Sequence, residues 1–109
     1  MVVLVSSSTG EGEMPDNGDR FFRWIKKQKR EELLPAFSKI HFTVLGLGDS
    51  NYTKYQNVPK TLDASFYELG ANRFHRRGAA DEATNLEEGV EPWIEEFWKA
   101  LEQLFMELS

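Results

Sequence analysis

The chain has 109 residues, 40% of them hydrophobic, which is enough for one small α/β domain and leaves no room for a second. It contains no cysteine, so disulfides, thiolate metal sites and cysteine nucleophiles are excluded, and no apolar run approaches the roughly 20 residues of a spanning helix. The formal charge of −5 argues against binding to a phosphate backbone, and it is unevenly placed: Arg20, Arg23, Lys26, Lys27, Lys29 and Arg30 crowd one stretch, while Asp81, Glu82, Glu87, Glu88, Glu91, Glu95 and Glu96 crowd another.

Val2 to Val5 is an unbroken aliphatic run of the kind found in a strand covered on both faces. Ser6 to Asp19, with Gly10, Gly12, Pro15 and Gly18, reads as a long loop leaving that strand. A helix is predicted from Asn17 or Asp19 to a point before Pro35, with Phe21, Phe22, Trp24 and Ile25 as its apolar patch. Ile40, Phe42, Val44, Leu45 and Leu47 make a second buried strand, stopped by the turn formers of "GLGDSN". Pro59 opens the next helix, Leu62, Phe66 and Leu69 follow at helical spacing, and Gly70 occupies the position of a left-handed C-cap. Arg73 to Arg77 is a third strand candidate, followed by a polar loop, "GAADEATNLEEG". The last helix is predicted to start near Pro92 and to carry Ile94, Phe97, Trp98, Leu101, Leu104, Phe105 and Leu108 on one face.

This order of β, loop, α repeated three times implies right-handed crossovers and a parallel sheet. In such sheets ligands bind beyond the carboxyl ends of the strands, which is where all three long loops lie. The first offers backbone N–H groups through "STGEG", the second carries Tyr52 and Tyr55, whose faces suit either stacking on a flat heterocycle or packing within the loop, and the third carries the acceptor Asp81. No Gly-Lys-Ser/Thr ending follows the glycine-rich loop, which disfavours nucleotide hydrolysis. His41 and His75 have no acid or nucleophile at a recognisable spacing and read as structural; Ser6 to Ser8 lack a base, so no catalytic residue and no metal ligand set is assigned.

The segments "SSTGEGEMPDNGDRFFRWI", "FTVLGLGDSNYTKY" and "VEPWIEEFW" resemble, in order and spacing, successive parts of the FMN-binding, flavodoxin-like domain of the NADPH-dependent diflavin reductases. "LGLGDSNYTKYQN" followed by "GAADEATNLEEGVEPWI" is most similar to the methionine synthase reductase branch of that family. The resemblance covers essentially the whole chain and implies a three-layer α/β sandwich with a parallel sheet. It also implies that residues 1–109 are the C-terminal part of such a domain, without the first strand, phosphate-binding loop, helix and second strand that family members carry ahead of this point. The implied cofactor is FMN, with FAD and NADPH held elsewhere in the parent protein.

The family's ring-covering positions fall on Thr9, where other members use an aromatic residue, and on Tyr52. Backbone contacts would come from Ser8, Gly10, Gly12, Leu47 and Gly48, with Asp49, Tyr55, Asn57 and Asp81 as polar or edge neighbours; the family's amide position falls on either Gln56 or Asn57. The function implied is an electron-transfer module of a cytoplasmic oxidoreductase, partnered by an FAD/NADPH reductase domain and by a redox acceptor such as cobalamin-bound methionine synthase. No nucleic acid or membrane span is expected. A flavodoxin-like binding or scaffold domain that holds no flavin is the alternative. The phosphate loop being absent, FMN binding by these residues alone is expected to be weak.

Overall fold

A computed structural model describes residues 1–7, 19–31, 37–51 and 56–108. Its elements run β1 (Val2–Ser7), α1 (Asp19–Glu31), β2 (His41–Gly48), α2 (Asn57–Glu68), β3 (Asn72–Arg73), β4 (Gly78–Asp81) and α3 (Leu86–Leu108). Every strand pairing is parallel, as the β-α alternation requires: β2 lies between β1 on one side and β3 and β4 on the other.

The register assigns the two faces of the sheet. Val2 pairs with Phe42 and Leu4 with Val44, and these four side chains point the same way, into a core with Ile25 of α1, Phe66 of α2, Leu69 just beyond its end, Phe37 and Ala71. Phe66 is its centre, with ring centroids 5.3 Å from Phe37 and 5.4 Å from Phe42. Leu45 and its partner Gly78 point the other way, against Trp93 of α3. Helices α1 and α2 therefore cover one face and α3 covers part of the other, which gives the three layers read from the sequence.

The end of α2 follows its sequence signals closely. Gly70 takes φ 95°, Ala71 N–H donates to Phe66 O and Gly70 N–H to Tyr67 O, both at 3.0 Å, which is the Schellman closure expected of a C-terminal glycine. Just beyond it, Arg73 grips the buried Asp63 with two hydrogen bonds of 2.9 and 2.8 Å and lies over the Tyr67 ring at 5.0 Å, tying β3 to α2.

Two sequence expectations are corrected. The third strand is not Arg73 to Arg77: only Asn72–Arg73 and Gly78–Asp81 join the sheet, and Gly78–Asp81 falls in the stretch expected to be polar loop. The cause is long-range. The Thr43 hydroxyl donates to the carbonyls of His75 (3.0 Å) and Arg76 (3.4 Å), and the Trp93 indole N–H donates to Arg76 O at 2.8 Å, so these carbonyls are taken out of the ladder. Likewise α3 starts at Leu86, six residues before Pro92. The Asn85 side chain accepts from Glu87 N–H at 3.0 Å and Glu87 and Glu88 lie in the first turn, so the helix is capped early and carries Pro92 within it.

His75 is buried as expected of a structural histidine, 5.0 Å from the Trp93 ring, with Nε2 3.1 Å from Trp93 O. Burial lowers its pKa below the usual 6.5, with Arg76 adding to the effect and the Trp93 carbonyl and Glu96 opposing it. The unfolded chain therefore binds this proton more readily than the folded one, and His75 contributes stability that is complete above pH 6.5 and is lost as pH falls through that value toward the folded pKa. Urea denaturation should give a lower unfolding free energy at about pH 5.5 than at about pH 7.5, on either side of the ordinary histidine pKa, and the His75→Gln variant should lose that part of the slope. A wild-type slope retained in the variant would assign the effect to other groups.

Candidate functional site

The carboxyl ends of adjacent strands form one rim. Ser7 of β1 is level with Leu47 of β2, Leu47 with Ala80 of β4, and Gly48 with Asp81. Neighbouring parallel strands lie about 4.8 Å apart, so these residues form a continuous row from which the connecting loops leave. Leu47, Gly48 and Asp49 are half-buried along it.

Asp81 holds the second and third loops together. Its Oδ1 accepts from Ser50 N–H and from Ala83 N–H, each at 2.9 Å, while Glu82 N–H donates back to Gly48 O at 2.7 Å. Hydrogen bonds from Ser50 lower the Asp81 pKa, so the carboxylate is charged throughout the neutral range. Asp49 is engaged in a local turn, its Oδ1 accepting from Asn51 N–H at 2.9 Å.

The two candidates for the amide position part company. Gln56 is 1% exposed and its side-chain N–H donates to Gly46 O at 3.2 Å and Ala80 O at 3.4 Å, bridging β2 and β4 from beneath the rim. Asn57 is exposed and opens α2, its carbonyl accepting from the Thr61 hydroxyl at 2.9 Å. Gln56 has φ 63°, a conformation rare for a residue with a side chain, and its Oε1 has no hydrogen-bond partner. Its bridging position is not legible from the sequence; the signal available is a polar residue sitting directly ahead of a helix start. Gly46 beneath it is also missed by sequence reasoning as a site-shaping residue: a Cβ there would overlap Gln56 Oε1 and lie 2.7 Å from the Pro59 ring.

Of the residues singled out from the sequence, Leu47, Gly48, Asp49 and Asp81 are brought together at the rim, and Asn57 lies at the start of the helix that follows the second loop. Ser8, Thr9, Gly10, Gly12, Tyr52 and Tyr55 lie outside the described residues. Asp49, Asp81 and Glu82 are acidic and no Lys or Arg occurs in Leu47–Asn51 or Gly78–Asn85, so these two segments offer no side-chain cation to a phosphate. No cluster of His, Asp or Glu able to hold a metal is found among the described residues, and none of their helices is long and apolar enough to cross a membrane.

Residues 1–93 match the flavodoxin family model. The methionine synthase reductase of Caenorhabditis elegans is 43% identical over 96% of the chain, and that of Homo sapiens 42% identical over 95%; the chain spans 15% of the length of either. Among solved structures, a cysteine-to-serine mutant of the flavodoxin from Pseudomonas aeruginosa superposes with a TM-score of 0.74 and 32% identity, covering 92% of this chain and 65% of the flavodoxin.

Proposed function

Because the chain belongs to the flavodoxin family, we propose that its rim holds the isoalloxazine ring of FMN and that the chain serves as an electron-transfer module of an NADPH-dependent diflavin oxidoreductase of the methionine synthase reductase kind. The observation that carries this reading is the alignment of three parallel strand ends, with the second and third loops fastened by Asp81. FMN would supply one- and two-electron chemistry, and the protein its position and polarity.

The residues divide the work in a simple way. Leu47 and Gly48 offer main chain at the strand end, Asp81 fastens the second loop to the third, and Gln56 ties the start of α2 to β2 and β4. Tyr52, in this reading, stacks on one side of the ring and Thr9 lies on the other, with Ser8, Gly10, Gly12, Tyr55 and Asn57 as further neighbours. The acidic rim leaves the phosphate to be held elsewhere, so the affinity of the 109-residue chain for FMN should be weaker than about 1 µM, or about −8.2 kcal/mol. In the whole protein, electrons would arrive from an FAD/NADPH domain and leave to a redox acceptor; cobalamin-bound methionine synthase is the acceptor this similarity favours.

Tyr52 gives the test. Tyr52→Ala removes a π-face worth about 0.5–1.5 kcal/mol beyond its buried area, so FMN affinity should fall about tenfold or more, whereas Tyr52→Phe should keep most of it. Fluorescence titration of FMN against the three proteins, each as the full-length parent with the complete domain, decides. Equal affinity in Tyr52→Ala and wild type would remove Tyr52 from the ring, and absence of flavin binding to any of them would favour the scaffold reading.

A further inference from the structure

Toward its C-terminal end α3 opens into an apolar groove lined by Trp98, Leu101, Phe105 and Met106, but its first turns sit directly on the sheet. Gly89, Trp93 and Phe97, spaced four residues apart, form the stripe that makes the contact. Gly89 meets Ala79 and Ala80, Trp93 meets Gly78, and Phe97 lies 6.0 Å from Phe74 and 6.2 Å from His75, so α3 runs back along β4 in the direction opposite to the strand.

The contact at Gly89 is backbone against backbone. A Cβ there would lie 2.8 Å from Ala80 Cα, 3.0 Å from Ala80 Cβ and 3.1 Å from Ala79 O. The first two distances fall well inside the roughly 3.5–4.0 Å at which carbon atoms pack, and no side-chain rotation clears a Cα. Neither partner is placed to retreat. Ala80 is fully buried, pairs with Leu47 of β2 and gives its carbonyl to the Gln56 side chain at 3.4 Å. One turn further on, α3 is pinned by Trp93, whose indole N–H donates to Arg76 O at 2.8 Å. A side chain at position 89 is therefore accommodated by tilting the start of α3 away from β4, with Trp93 as the pivot.

That start carries the third loop. Glu88 N–H donates to Asn85 O at 3.1 Å and Glu87 N–H to the Asn85 side chain at 3.0 Å, while Thr84 N–H donates to Asp81 O at 3.3 Å. Ala83 N–H is one of the two donors to Asp81 Oδ1, and Ser50 N–H of the second loop is the other. Glu82 N–H reaches Gly48 O. A series of short links thus joins the first turn of α3 to both loops of the rim.

We propose that Gly89 is a positioning residue of the flavin site: its bare Cα sets the height of α3 above β4, and through residues 82–85 and Asp81 that height sets the spacing of the second and third loops. The proposal rests on the reading of the rim as the place of the isoalloxazine ring. It makes the size of residue 89 a determinant of flavin affinity, although that residue lies eight positions beyond Asp81.

Gly89→Ala is the test, with Glu91→Ala, at an exposed position of the same helix, as the control. Alanine is otherwise the better helix former by about fivefold, so propensity alone would steady the start of α3 whereas the close contact loosens it. Amide hydrogen exchange of the isotopically labelled 109-residue chain, without FMN, should show Ser50, Glu82 and Ala83 exchanging about tenfold faster or more in Gly89→Ala, with Val44 and Leu45 of β2 unchanged and the control like wild type. In the full-length parent the same substitution should raise the FMN dissociation constant by about fivefold or more and shift the visible flavin absorption. Equal or slower exchange at the three rim amides, or an unchanged FMN affinity, would overturn the proposal. So would equal acceleration at Val44 and Leu45, or loss of the fold, either of which would make Gly89 a residue of general packing. A wild-type parent that binds no FMN would instead remove the reading of the rim, and the exchange result, obtained without FMN, keeps the two failures apart.

Discussion

Replacing Trp93 with alanine is expected to destabilise the fold by about 3–5 kcal/mol, the range for removing a buried tryptophan. Trp93 is 3% exposed, stacked on Phe97 with centroids 5.5 Å apart and tilted on His75 at 5.0 Å, so its removal opens a cavity between α3 and the sheet. It also leaves Arg76 O without its 2.8 Å donor, at the point where the third strand is interrupted. Gly78 is shaped for this ring: a Cβ there would collide with the indole and lie 2.8 Å from Leu45 Cδ1. Trp93→Phe keeps much of the volume but not the N–H, and should cost about 1–3 kcal/mol. Urea denaturation followed by circular dichroism measures both; a loss below about 1 kcal/mol in the alanine variant, well short of the cavity range, would mean that α3 is held to the sheet by something else.

Gly46→Ala should be nearly as damaging, at about 3 kcal/mol or more, although it adds a single methyl group. Gly46 sits in the middle of β2 with Ser6 and Ala79 opposite it on the two sides, so the strand has no direction in which to yield. The new Cβ would displace the Gln56 side chain and press 2.7 Å from the Pro59 ring. Overpacking of this kind costs about 1–3 kcal/mol, and losing the Gln56 bridge to Gly46 O and Ala80 O adds a similar amount. If the clash with Gln56 is the cause, Gly46→Ala combined with Gln56→Gly should be less destabilising than the sum of the single changes. Strict additivity would locate the cost in Pro59 alone.

The parts of the fold legible in the sequence are those set by local chemistry. The strand at Val2 to Val5, the apolar strand from Ile40 to Leu47 and the glycine closing α2 each follow from neighbours a few residues away, although Val3 and Val5 are exposed and the first strand is not covered on both faces as its unbroken aliphatic run suggests. What is not legible depends on groups far apart in the chain. Thr43 and Trp93 divert the carbonyls of His75 and Arg76, and no local pattern in "RFHRRGAAD" announces that. The start of α3 is misplaced for a different reason: Pro92 is a strong start signal, and it outweighs the Asn85 cap that lies seven residues earlier. Of the seven apolar residues expected on one face of that helix, Leu104 is buried, Phe97 and Leu101 are half-buried, and Ile94, Trp98, Phe105 and Leu108 are exposed. Periodicity finds the apolar arc but not how much of it is covered.

For the site, sequence reasoning locates the rim and Asp81, because loops leaving parallel strands collect there. It does not reveal that the Asp81 carboxylate fastens Ser50 and Ala83, nor that Gln56 turns inward while Asn57 turns outward. These follow from the register of β2 against β4, which periodicity alone does not specify.

The central claim is that FMN is held at the carboxyl ends of these strands, and amide shift mapping of the isotopically labelled chain during FMN titration tests it most directly. The expected result is a saturable shift confined to the rim, at Leu47, Gly48, Asp49 and Asp81 and in the loops that join them, with a dissociation constant weaker than about 1 µM. Shifts centred on the α3 groove around Trp98 and Phe105, or no shifts at millimolar FMN, would contradict it.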